Sequence, residues 1–173
     1  MKKSRTEDES CSHPPGRSPT AFLLAQVGSH ASSKFAERLV KLKLAPPHAG
    51  MLRILSSRPG MTQQRLATIL GMVPSRLVAL VDDMEARGLI ERRENRDDRR
   101  RYALHVTDKG RSMLDAIGQV SREHSQALLA ALSDSERALL ATLLQRIADE
   151  QGLTRGVHPG FRDISPDDGA ESE

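Results

Sequence analysis

Six arginines crowd into the eleven residues from Glu91 to Arg101, interleaved with four acids. Guanidinium groups bind phosphates and guanine edges in planar, two-pronged fashion, so the run has the chemistry of a nucleic-acid contact. Charge runs are more often solvated turns, and composition alone does not decide between the two. The decision comes from the residues just before it. Pro74, Ser75 and Arg76 open a segment in which Leu77, Leu80, Val81 and Met84 recur at i, i+3, i+4 and i+7. That spacing predicts a helix with one buried face, and Ser75, Ala79, Asp82 and Ala86 give it a small or polar opposite face. A slim outer face of this kind fits a DNA major groove.

The elements that position these residues are legible around them. Thr62 is a good N-cap for a short helix carrying Leu66, Ile69 and Leu70, and Gly71 ends it. The turn from Gly71 to Val73 separates it from the second helix, which predicts a helix-turn-helix. Pro74 suits the first turn of the second helix, whereas Val73 has no oxygen to cap it. Gly88 closes that helix after Arg87. Leu89–Arg93 and Arg101–Val106 then read as strands of a hairpin, the second alternating Tyr102, Leu104 and Val106 against Arg101, Ala103 and His105. A helix-turn-helix followed by a basic hairpin is the winged-helix arrangement, in which the helix reads base edges and the hairpin tip meets phosphates or the minor groove.

The run Leu70-Gly71-Met72, then Leu80 to Ile90, then Asp98-Arg99-Arg100, then Leu104 to Gly110, resembles the MarR family of bacterial transcriptional regulators. The likeness extends over about residues 20 to 150. It implies a mainly α fold with a small antiparallel β wing, joined to a helical dimerisation region. It also implies that Arg100 is the wing arginine and that Asp98 shapes the wing tip. Asp82 would pair with Arg100 and hold the wing to the recognition helix. Arg96 and Arg99 are expected at phosphates. Ala79 departs from the arginine often found there in the family, which leaves Arg76 as the candidate for guanine readout, with a phosphate contact as its equal alternative. Thr62 and Gln63 can meet phosphate through free helix N–H groups, or can simply cap.

The chain has 173 residues and a formal net charge of +3, but the charge is unevenly spread. Residues 19–151 carry 20 basic and 15 acidic side chains, and residues 152–173 carry 2 and 5. Basic charge thus concentrates where the DNA-binding unit is expected. Aromatic residues make up 2% of the chain and Trp is absent, so a core must be built from aliphatic side chains and Met. A single cysteine, Cys11, excludes a disulfide framework within one chain and a Cys-rich zinc site. No apolar run reaches the roughly 20 residues of a membrane span, and no signal-peptide core follows the start, so a cytoplasmic protein is expected.

In chain order, residues 1–18 read as a disordered tail and 19–45 as a dimerisation helix bearing Phe22, Leu23, Val27, Ala31, Phe35, Leu39 and Leu42. Residues 46–107 form the winged helix-turn-helix region, beginning with a helix from about Pro47 to Ser57. Met61 is expected as a one-pair strand of the wing sheet, on the resemblance alone. Residues 108–151 form two further dimerisation helices, the first capped by Thr107 and running to about Ala131. The second opens with the capping box Ser133-Asp134-Ser135-Glu136. Residues 152–173 read as a disordered acidic tail.

No catalytic motif, Gly-rich phosphate loop or cofactor signature appears, and no His pair has the i, i+4 spacing of a helical metal site. The reading is therefore not an enzyme, with no cofactor and no metal. His30 and His48 fall near the place where the resemblance implies a cleft for small phenolic or aromatic ligands, and a satisfied or solvent-exposed histidine is the alternative that weighs more for each. The expected function is a homodimeric, sequence-specific double-stranded DNA-binding regulator on a near-palindromic operator, acting as a repressor released by a small effector. The alternative is an architectural protein that binds DNA without sequence preference.

Overall fold

A computed structural model describes residues 19–94 and 102–161. The order of elements is α1 (Thr20–Val40), α2 (Pro46–Ser57), β1 (Met61–Thr62), α3 (Gln63–Leu70), α4 (Pro74–Ala86), β2 (Ile90–Glu94), β3 (Tyr102–Val106), α5 (Asp108–Leu128), α6 (Asp134–Glu150) and a 3-10 turn, Pro159–Phe161. The fold is mainly helical with one small antiparallel sheet ordered β1-β3-β2. Met61 pairs with Leu104, which is the short strand expected at that position. Ile90 pairs with Val106 and Glu94 with Tyr102, which brings the wing strands together in register.

Helix boundaries follow local chemistry. Thr62 Oγ1 accepts the Arg65 N–H at 3.3 Å, and Gly71 closes α3 in the left-handed region at φ 68°. Gly88 repeats the device at φ 69°, with the Gly88 and Leu89 N–H groups donating to the carbonyls of Glu85 and Met84. Ser133 and Glu136 form the capping box of α6. α1 ends at Val40, three residues short of the expected Lys43, because residues 41–43 turn and Lys43 adopts φ 55°.

One core joins α2, α3, α4 and the sheet. Met51, Leu52, Leu55, Leu66, Leu77, Val81, Met84 and Leu104 are all within 1% of complete burial, and among the described residues no polar or charged side chain is buried. The alternation expected in the second wing strand holds only in part. Tyr102 is exposed at the outer end of the sheet, and Ala103 is buried because β3 is the central strand, with Thr62 and Arg93 beside it.

α6 buries none of its residues, and α1 buries only Leu39. Their apolar side chains, among them Phe22, Val27, Leu139, Leu143 and Ile147, stand in solvent in the single chain. The tail departs from expectation. Residues 153–161 were expected to be disordered, but they fold back, and Phe161 is buried against Gly50 of α2. The sequence signal was weak: one phenylalanine in a Gly- and Pro-rich stretch.

Candidate nucleic-acid interface and adjoining cleft

The α3–turn–α4 unit presents the first turns of α4 outward. Leu77 and Val81 are buried, which forces Pro74, Ser75, Val78 and Ala79 onto the exposed side, and Arg76 is half-buried beside them. Val73 offers no side-chain cap, as its chemistry requires. At the start of α3, Thr62 acts as the cap and also pairs with β3, so its hydroxyl is engaged within the fold. Gln63 is half-buried, and its Nε2 is buried without a hydrogen-bond partner.

Among the described residues, the link between recognition helix and wing is made by Arg92. Arg92, on β2, donates through Nη2 to Asp82 and through Nη1 to Glu85, and its backbone N–H donates to Glu85 Oε1 at 3.1 Å. Burial works against the charge of this guanidinium, but the hydrogen bonds to Asp82 and Glu85 outweigh it and raise its pKa. Asp82 and Glu85, three apart on one helix face, form a two-carboxylate seat for an arginine. That spacing was visible in the sequence. Arg96, Asp98, Arg99 and Arg100 lie outside the described residues.

A second knot ties the other end of α4. Thr107 Oγ1 accepts the Gly110 N–H at 3.0 Å and donates to the Gly88 carbonyl at 2.7 Å. Lys109 Nζ donates to the Arg87 carbonyl at 2.6 Å. The stretch Thr107–Gly110 thus clamps the end of the recognition helix to the start of α5.

His48 is engaged within the fold and does not line the apolar cleft beside α2. Its Nδ1 accepts the Ala45 N–H at 2.9 Å, and a backbone N–H can only donate, so Nε2 carries the proton. Nε2 then donates to Asp83 of α4 at 3.1 Å. Burial lowers the His48 pKa, with Arg87 acting in the same direction against the pull of Asp83. Arg87 closes the network, donating to Asp83 at 2.9 Å and to the Lys43 carbonyl. His30 is exposed on α1 and likewise does not line the cleft.

The cleft itself, about 410 Å³, opens between α1, α2, α5 and the returning tail. Phe35, Pro46, Ala49 and Phe161 make it largely apolar, while Arg53, His124 and His158 bring polar groups. The rings of Phe35 and His124 lie 5.5 Å apart, and burial, with repulsion from Arg38 and His30, lowers the His124 pKa. His158 Nε2 lies 3.1 Å from the Ser32 hydroxyl. Sequence reasoning missed Arg53, His158 and Phe161, since nothing local marks a tail residue as a cavity wall. Among the described residues no three His, Cys, Asp or Glu side chains converge as a metal site, and no helix is long and apolar enough to cross a membrane.

Known proteins share this arrangement. The MarR family profile matches residues 42–101. A putative transcriptional regulatory protein for the hcr operon of Thauera aromatica is 38% identical over 134 residues, covering 77% of this chain and 81% of that protein. An HTH-type transcriptional repressor of Mycobacterium tuberculosis is 24% identical, covering 76% and 95%. Among solved structures, the transcriptional repressor CouR bound to a 23-mer DNA duplex superposes with a TM-score of 0.66 at 30% identity, covering 75% of this chain and 92% of that one. Wild-type MarR from E. coli superposes at 0.69 with 22% identity, covering 76% and 98%, a likeness of fold. With the helix-turn-helix, the wing sheet and the clamped recognition helix already in place, these likenesses establish that the chain belongs to the MarR family of DNA-binding transcription regulators, which are not enzymes.

Proposed function

We propose that the chain works as a homodimeric repressor of a specific near-palindromic operator and is released by a small aromatic or phenolic effector. The observation that carries DNA readout is the outward face of the first turns of α4, rigidly seated by Leu77 and Val81. Pro74, Ser75 and Arg76 meet base edges or the adjoining phosphates, Thr62 and Gln63 lie at the flanking strand, and Arg96, Arg99 and Arg100 extend the contact along the wing. The exposed apolar sides of α1 and α6 are the partner surface, since a helix that buries nothing in its own chain needs another to cover it. Residues 19–45 and 108–151 then form the dimer, and residues 46–107 each take one half-site, one helical turn apart.

The cleft supports the effector. Its volume lies in the range of small-molecule sites, and Phe35 and Phe161 offer ring surfaces beside Arg53. α2 bears the cleft residues Pro46, Ala49 and Gly50 and also His48, which bonds to α4, so a shift of α2 is passed to the reading helix. An effector releases DNA only insofar as it binds the released arrangement more tightly.

Selection of bound duplexes from a random pool, repeated across a salt series, tests the reading. An inverted repeat with half-sites one turn apart is the expected product. No motif, with affinity collapsing as salt rises, would replace it with non-specific architectural binding.

A further inference from the structure

The outward stripe of α4 is made of Ser75, Val78, Ala79 and Asp82, at i, i+3, i+4 and i+7. Asp82 is occupied by Arg92 and, as an anion, repels phosphate. Of the rest, only Ser75 can hydrogen-bond to a base. Val78 is 45% exposed, although the valine three residues on, Val81, is fully buried. A β-branched apolar residue is a poor choice for a solvated helix surface, where long polar side chains favour both helix and solubility. Beside it, Ala79 is short enough to let the helix approach closely. Val78 also borders the groove between α3 and α4, together with Pro74 and Thr68.

A major groove presents one apolar group, the C5 methyl of thymine. We propose that Val78 is a specificity-determining residue that packs on a thymine methyl in each half-site. Ala79 permits the approach and Ser75 supplies the adjacent hydrogen bond. Readout at this position therefore proceeds by shape and dehydration of a methyl group rather than by hydrogen bonding. This rests on α4 being the recognition helix of a sequence-specific dimer.

The test uses the full chain and the operator recovered by selection. Each thymine is replaced in turn by deoxyuridine, which removes only the methyl, and affinity is measured at fixed salt. One position per half-site should lose roughly fourfold on replacement, the worth of one buried methyl. In Val78→Ala, affinity for the thymine operator should fall by a similar factor, and deoxyuridine at that position should then cost nothing more. Val78 is exposed, so the variant should melt with the parent, and unchanged affinity for the uridine operator verifies its fold. Two results overturn the proposal while leaving specific binding intact: no thymine is sensitive to uridine, or the sensitivity persists undiminished in Val78→Ala. Failure to recover any operator would overturn the specific-regulator reading itself, and this assignment with it.

Discussion

Gly110 illustrates how much a single missing side chain can decide. A Cβ there would lie 2.0 Å from the Leu89 carbonyl oxygen and 2.7 Å from Val106 Cγ1, both fixed by the sheet and the turn after α4. The close approach lets Thr107 cap α5 while holding the Gly88 carbonyl. Gly110→Ala should therefore cost roughly 2–3 kcal/mol, more than its better helix propensity returns, as measured by urea unfolding. A variant as stable as the parent would mean that α5 can slide away from the turn at no cost. The sequence displayed the Thr-x-x-Gly pattern plainly, but its physical reason, a backbone oxygen in the place of a side chain, lies in a contact between residues some twenty positions apart. A shorter separation, ten positions, likewise hid the seat that Asp82 offers Arg92. Composition offers Asp82 several arginines, and it is the path of β2 that sets Arg92 against α4.

Among the elements, helices were the most legible, because caps and glycines act within a few residues: Thr62, Gly71, Gly88 and Ser133 each stand where they were expected. The coupling between elements was not. His48, for which a satisfied histidine was the weightier expectation, is the peg joining α2 to α4. Its neutral form satisfies both Ala45 and Asp83, and adding a proton at Nδ1 forfeits the first bond. The folded state thus resists protonation. The stabilisation is fully present above the ordinary histidine value near 6.5 and is lost as pH falls through it towards the lower folded-state value. His124 is shifted the same way and adds to the trend. Unfolding free energy followed by circular dichroism should decline on acidification below about pH 6.5, and His48→Gln should decline less. Equal slopes in parent and variant would remove His48 from the account.

At the scale of the molecule, α6 is a capped, regular helix with exposed leucines, the surface proposed for a partner chain. That much was legible as an apolar stripe. The returning tail was not, because a segment rich in Gly and Pro carries no periodicity, and the anchors that hold it, the Phe161 ring against Gly50 and His158 beside Ser32, meet residues far away in sequence. A tail can undock without unfolding the domain, so Phe161→Ala should leave the main unfolding transition nearly in place while exposing residues 153–158 to protease many times faster. Equal cleavage rates would show that Phe161 does not hold the segment. The wall built by Phe161 and His158 comes after every helix that reads DNA or offers a partner surface. On the proposed reading, residues 153–161 shape the effector cleft while α4 reads the operator, so the two tasks fall to separate stretches of chain. If the cleft holds the proposed effector, such a molecule can acquire a new trigger without acquiring a new address.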